Sequence, residues 1–245
     1  FGLAGRYYYL NGQPIKMKGV NRHENNPKTG HYVSREQMQE EVFLMKRGNI
    51  NHVRDCHYPD APYWYYLCDK YGILMVCDEV MAGFGRCGTW FACEAFDIQP
   101  DIITCAKGIN SGYAPLGGVI VSKDIASFLD DNVLVAGLTY NAHALGVAAA
   151  IANIEEFERL NVLDNVAKMG KILGEALEEM KKKHPCVGDV RYIGLHSSIE
   201  FTKNRKTHEP LVDTDGGDFM HAIGPALKKR HMTTVGFDNC MMFCP

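Results

Sequence analysis

Residues 67–79, LCDKYGILMVCDE, limit the fold of this chain more than any other stretch. A helical pattern that starts at Pro62 ends at Gly72, the residue type that most easily closes a helix. An unbroken apolar run, 73–77, follows at once. Such a run marks a strand covered on both faces, as in a parallel sheet flanked by helices. Two carboxylates, Asp78 and Glu79, then stand at the carboxyl end of that strand. In open α/β sheets, that is the end at which sites assemble.

The same alternation continues on both sides. A strand over 15–20 leads into the polar loop NRHENNPKTGH. Ser34 is placed to cap the next helix, with Gln37 as its capping-box partner. Met38, Val42 and Met45 space its apolar face, and Gly48 closes it. A strand over 51–54 precedes the loop DCHYPDAP. Downstream, strands are expected over 102–105, with Lys107 just beyond, and over 117–121. The Ala-rich helix 141–160 is apolar all round through GVAAAIANI, which predicts burial. Helix 162–183 has a charged face and ends in Lys181, Lys182 and Lys183, where the helix dipole favours cations. After Pro185 come short strands (190–193, 198–201, 233–237) and a helix over 218–229. The expected class is therefore α/β, a mainly parallel sheet with helical crossovers, plus a small α+β C-terminal part. Too few strands precede residue 79 to close an eight-stranded barrel.

Composition excludes several function classes. The chain has 245 residues, 46% hydrophobic and 22% charged, with a formal net charge of −3. Nothing in that balance points to nucleic acid. No apolar run reaches membrane-spanning length, and FGLAGRYYYL lacks the pattern of a signal peptide. The absence of a starting Met reads as a cut point inside a longer protein. Nine cysteines without a CxxC pair fit a reducing, cytoplasmic setting better than a disulfide framework. Cys240 and Cys244 are spaced CxxxC, and Cys56 adjoins His57, but no second matched pair exists, so no metal site is expected.

Asp78 and Lys107 are the central candidates, each just past a strand of the expected parallel sheet. A lysine amine there can form a Schiff base with an aldehyde cofactor, and a carboxylate can hold a pyridine nitrogen protonated. Spacing alone would leave both as ordinary solvated charges. The letters around them add more: MVCDEVMAGFGRCG, PDIITCAKGINSGYAPLGGVIVS and GLTYNAHALGVAAAIANIE resemble the class III aminotransferases of fold type I, from about residue 67 to 245. The sequence style is closest to the branch that pairs ω-amines with pyruvate. The resemblance implies pyridoxal 5'-phosphate carried on Lys107, with Asp78 at the pyridine nitrogen, Val80 packed on the ring and Thr139 at the phosphate. It also implies an amine and a keto acid as substrates, and a homodimer. The family's phosphate-cradling loop and ring-stacking aromatic residue have no counterpart before residue 67.

The preceding segment resembles another family. YLNGQPIKMKGVNRHENNPKTGH, EEVFLMKRGNINHVRDCHYPD and PYWYYLCDKYG are similar to the barrel domain of GH2 β-galactosidases over residues 1–78. That resemblance implies that His23 and His57 touch sugar hydroxyls and that Arg54 helps shape their pocket, roles for which imidazole and guanidinium groups are apt partners. The two carboxylates that retaining hydrolysis requires lie on later barrel strands, and Glu24, Glu36, Glu40 and Glu41 match neither. The chain thus reads as a hybrid whose two halves coincide on 67–79. Its expected segments are 1–78, 67–184 (cofactor domain) and 185–245 (small domain). A transaminase impaired by its missing cofactor cage is the leading reading. A sugar-binding remnant and an inert chimera are the alternatives.

Overall fold

The computed structural model describes residues 2–4, 7–10, 13–16, 18–30, 32–57, 60–131, 133–134, 137–211, 217–237 and 239–243. Tyr58 and Pro59 of the His-Tyr-Pro stretch, and Cys244 of the CxxxC pair, lie outside them. The chain divides into two units of discontinuous sequence.

The first unit comprises 1–23, 35–84 and 91–161. It opens with a three-stranded antiparallel meander of β1 (Gly2–Ala4), β2 (Tyr7–Leu10) and β3 (Gln13–Ile15), which the sequence did not announce. The alternating part follows: β4 (Gly19–Arg22), α1 (Arg35–Arg47), β5 (His52–Asp55), α2 (Pro62–Tyr71), β6 (Leu74–Asp78), α3 (Ala92–Ala95), β7 (Ile102–Ala106), β8 (Gly117–Val121), α4 (Lys123–Asp131) and α5 (Ala144–Arg159). The single strand expected over 15–20 is divided between β3 and β4. The side chain of Asn51 accounts for the break, accepting from Lys18 N at 2.9 Å and donating to Lys16 O at 2.9 Å, and so taking the place of a ladder partner.

Strands β4 to β8 form one sheet in the order β4-β5-β6-β7-β8. The first four are parallel, with Asn21 opposite Arg54, Arg54 opposite Val76 and Asp78 opposite Thr104. β8 runs antiparallel to β7, a departure from the parallel alternation. Its physical origin is the short connection 107–116, which is too brief to carry a helical crossover back to the other end of the sheet. The sheet therefore joins strands of the glycosidase-like segment (β4, β5) and the aminotransferase-like segment (β7, β8) through β6. Beneath the helices lie Val42, Val53, Trp64, Leu67, Cys68, Met75 and Cys77, all buried. Gly72 takes the left-handed conformation (φ 61°) and ends α2, with its N–H on Asp69 O. This is the ending that LCDKYG predicted.

Helix α5 corrects an expectation. Only Gly146 and Ala150 are buried, and Leu145 is 74% exposed. Gly146 faces Pro115 and Leu116, where an added Cβ would meet only ordinary contacts, 3.5 Å from Pro115 O. Val147 and Ile151, on other faces of the helix, are exposed as well among the described residues. Among the described residues no helix is long and apolar enough to cross a membrane.

The second unit comprises 24–34, 85–90 and 162–245. It contains α6 (Val162–Lys183), β9 (Val187–Ile193), β10 (His196–Asn204), β11 (Glu209–Pro210), α7 (Gly217–Lys228), β12 (Val235–Phe237) and β13 (Cys240–Phe243). The strands pair antiparallel around β10. Leu177 of α6 packs with Val187, Val190, Ile199, Phe201 and Met241 as the core. The fold class is thus α/β with a mostly parallel five-stranded sheet and an antiparallel five-stranded one in the second unit.

Close backbone approach holds α6 in place. A Cβ at Gly170 would sit 2.5 Å from Gly194 O, and Gly194 is itself left-handed at φ 54°. Alanine would gain about 1 kcal/mol of helix propensity over glycine. The clash is against backbone and must move the helix, at about 1–3 kcal/mol. Gly170→Ala is therefore expected to destabilise the protein by up to about 2 kcal/mol net, read as a lower urea midpoint with unchanged slope. A raised midpoint would mean that α6 shifts without loss.

Candidate functional site

The carboxyl ends of β4, β5, β6 and β7 are neighbours in the sheet, so the residues that follow these strands gather at one edge. His23 follows β4, Cys56 and His57 follow β5, Asp78 ends β6 and Lys107 follows β7. Asp78 and Lys107, expected as partners, thus lie at the same end of adjacent parallel strands, with Asp78 in register with Thr104.

Asp78 is the centre of the arrangement. Its side chain is 0% exposed. Oδ2 accepts from Arg54 Nη2 at 2.6 Å and from His57 Nδ1 at 2.6 Å. Oδ1 accepts from Val80 N at 3.0 Å. An ionised carboxylate is acceptor-only, so the proton in the His57 contact belongs on Nδ1, leaving a lone pair on Nε2. Charge-assisted bonds of this kind contribute about 1.5–3 kcal/mol each. Arg54 reaches further, donating from Nη1 to Asn21 Oδ1 and to Cys56 Sγ, both at 3.1 Å. Burial pushes the Cys56 thiol up, with Arg54 acting against it. The ring of His23 meets that of His57 edge-on, centroids 5.4 Å apart.

Glu79 does not share the site. Its Oε2 and Oε1 accept from Ala92 N (3.0 Å) and Cys93 N (2.8 Å), which caps the first turn of α3. Burial raises its carboxyl pKa above the usual range, against the pull of those two N–H groups.

Lys107 opens a short 3₁₀ turn, Lys107–Ile109, at φ 47°. A lysine in the left-handed region is uncommon and persists only where its surroundings enforce it. Asn153 of α5 does this, donating from Nδ2 to Gly108 O at 2.9 Å and accepting from Ser111 Oγ at 2.6 Å. Buried Asn110 braces the same turn through Ala114 O (2.7 Å) and Gly112 N (3.2 Å). Sequence reasoning missed both asparagines. The signal was there for Asn153, an amide in an otherwise Ala-rich helix. The Lys107 side chain is exposed, and its amine makes no hydrogen bond or ion pair among the described residues.

Of the other expected residues, Val80 is half-buried at the start of the turn after β6. Thr139 is exposed in a turn before α5, and its hydroxyl has no partner among the described residues. The fit to pyridoxal 5'-phosphate is therefore poor. The carboxylate that would meet a pyridine nitrogen is enclosed, and its Oδ2 is already committed to a guanidinium and an imidazole. Lys107 stands open, while Thr139, the residue expected at a phosphate, offers one hydroxyl.

Two family models match the chain: "Aminotransferase class-III" over residues 64–234, and "Glycosyl hydrolases family 2, TIM barrel domain" over 2–99. They overlap on the stretch that both resemblances claimed. The taurine–pyruvate aminotransferase of Bilophila wadsworthia is 39% identical over 188 residues, covering 73% of this chain and 41% of that protein. The putrescine–pyruvate aminotransferase of Pseudomonas aeruginosa is 35% identical, covering 65% and 36%. Among solved structures, a taurine:2-oxoglutarate aminotransferase from Bifidobacterium kashiwanohense superposes with a TM-score of 0.76 at 37% identity, over 86% of this chain and 50% of that one. Residues from 64 onward make up about three quarters of this chain, so the superposition also takes in part of the glycosidase-like segment. The chain spans about 41% of the length of the Bilophila relative. With most of its length matched by that model and its architecture shared with those enzymes, this chain belongs to the class III aminotransferase family.

Proposed function

We propose that this chain is a pyridoxal-phosphate-dependent aminotransferase scaffold whose cofactor site is closed at Asp78, leaving it unable to transaminate. The observation that supports the reading is the pair of 2.6 Å contacts from Arg54 and His57 to Asp78 Oδ2. Both donors come from the segment that matches the glycosidase model, and both occupy the carboxylate oxygen the aminotransferase segment would reserve for a pyridine nitrogen. In the relatives named for taurine or putrescine with pyruvate, the reaction moves an amino group between an amine and a keto acid. Here, those substrates would meet an exposed Lys107 without the charge partner and the phosphate grip.

The test is a titration of the purified chain with pyridoxal 5'-phosphate, followed by absorbance and then dialysis. A spectral change that disappears on dialysis, and is absent in Lys107→Ala, is expected. A band that survives dialysis in the parent chain would overturn the proposal. A sugar-binding remnant is the second reading, favoured by the His23–His57 edge contact beside Arg54. It is weakened because His57 Nδ1 and Arg54 Nη2 are spent on Asp78. Galactose in place of cofactor, followed by calorimetry, serves as the second arm. No heat is expected, and a binding isotherm lost in His57→Ala would establish the sugar reading instead.

A further inference from the structure

We propose that His23, Cys56 and His57 form a three-ligand site for a zinc-class divalent cation, with Asp78 as the carboxylate that orients His57. One donor atom from each of the three residues lies within 4.8 Å of the other two. The residue types are those of borderline-soft cations: two imidazoles and a thiolate suit Zn²⁺ far better than Mg²⁺ or Ca²⁺. Tetrahedral bonds of about 2.0–2.3 Å place donors roughly 3.5 Å apart, so each pair within 4.8 Å needs to draw in by at most about 1.3 Å. His23 is exposed and sits past the end of β4, so its side-chain torsions can supply that movement.

The second observation is independent of this clustering. Metal-bound histidines almost always give their other ring N–H to a carboxylate or carbonyl, which fixes the tautomer and makes the ring a better donor. Asp78 Oδ2, 2.6 Å from His57 Nδ1, already makes that contact. The Nε2 lone pair is then the one presented to a cation. Arg54 is ion-paired to the same carboxylate, so the guanidinium charge near the site is matched. On binding, Cys56 Sγ releases its proton to solvent and the sulfur forms the metal bond, with no change of oxidation state. Three protein donors leave a fourth position for water on the side where His23 and His57 are open, the arrangement of zinc sites that keep an exchangeable ligand.

The adjacent Cys56 and His57 were visible in the sequence, but their partner is no second close pair: His23 comes from the end of a different strand, so the expectation of no metal site is revised here. The site does not depend on the cofactor reading, since its readout involves no pyridoxal phosphate. The experiment is a titration of the full chain with Co²⁺ under reducing conditions, followed by Zn²⁺. One equivalent should produce intense visible bands of tetrahedral cobalt and a thiolate-to-cobalt charge-transfer band, both removed by Zn²⁺. Cys56→Ser should abolish the charge-transfer band. His23→Ala, a change at an exposed side chain, should weaken affinity at least tenfold with the circular dichroism spectrum unchanged. Asp78→Asn should weaken it by about 10–100-fold. A charge-transfer band that persists in Cys56→Ser, affinity unchanged in His23→Ala, or only the pale spectrum of octahedral cobalt would each overturn the proposal.

Discussion

Replacing Arg22 by leucine is expected to lower stability by about 3–5 kcal/mol, the loss typical when one partner of a buried ion pair is removed. Arg22 ends β4 with its side chain 4% exposed. Its Nη1 lies 2.6 Å from Asp60 Oδ2, and the Asp60 side chain is 0% exposed. Its Nε donates to Glu41 Oε2 of α1 at 3.0 Å. The guanidinium carbon stands 4.0 Å over the ring of Trp64, itself fully buried in α2. Burial opposes the charged guanidinium, but Asp60 and Glu41 outweigh it and the pKa stays raised. One side chain therefore ties a strand to both helices that follow it. Without it, the buried Asp60 carboxylate loses the guanidinium it pairs with at 2.6 Å. Against a typical total of about 5–15 kcal/mol, such a loss removes a large share of the stability. Lysine would not rescue it, because an ammonium cannot serve two carboxylates in a fork and stack on an indole. Arg22→Leu with Asp60→Asn should recover most of the loss by removing the stranded charge. Urea unfolding of the three proteins decides the matter, and a single variant within about 1 kcal/mol of the parent would mean that water or a neighbour replaces the guanidinium.

Turnover of an ω-amine with pyruvate is expected to stay at the level of the Lys107→Ala control. Binding the cofactor productively would require Asp78 to give up Arg54 or His57. Removing either leaves a half-satisfied buried carboxylate, and the bond given up is worth about 1.5–3 kcal/mol. At about 1.4 kcal/mol per factor of ten, that alone corresponds to roughly 10–10² in affinity. The phosphate end adds to the loss, since Thr139 offers one hydroxyl where anion sites normally use several backbone N–H groups at a helix N-terminus. Alanine formation followed by a coupled assay is the measurement. Activity above the Lys107→Ala background would show that the chain opens the Asp78 cluster and grips the phosphate by another route.

Much of the fold was legible because its causes are local. Gly72 ends α2 and the apolar run after it becomes β6, since both depend on residues a few positions apart. The helices at 35–47, 62–71 and 162–183 follow from spacing and caps in the same way. The meander at the N-terminus was not legible, because its strands are three or four residues long and earn their stability only by pairing. The exposure of α5 was misread for a related reason. Apolar periodicity says that a face wants cover, and only the surrounding chain says whether cover is present.

The site divides along the same line. The residues at strand ends, Asp78, Lys107, His23, Arg54 and His57, were each visible in the sequence, because an alternating α/β pattern sends every such end to one edge of the sheet. Their partnerships were not. Arg54 and His57 precede Asp78 by 24 and 21 residues, and only the parallel register of β5 against β6 brings them onto one oxygen. The clamp of Asn153 on the Lys107 turn spans 45 residues to Gly108. What the sequence determined was which side chains arrive at the edge. Which of them neutralise one another there was decided by tertiary structure, because the choice between a pyridine nitrogen and an imidazole for Asp78 is settled within a few ångströms, a distance that no spacing along the chain specifies.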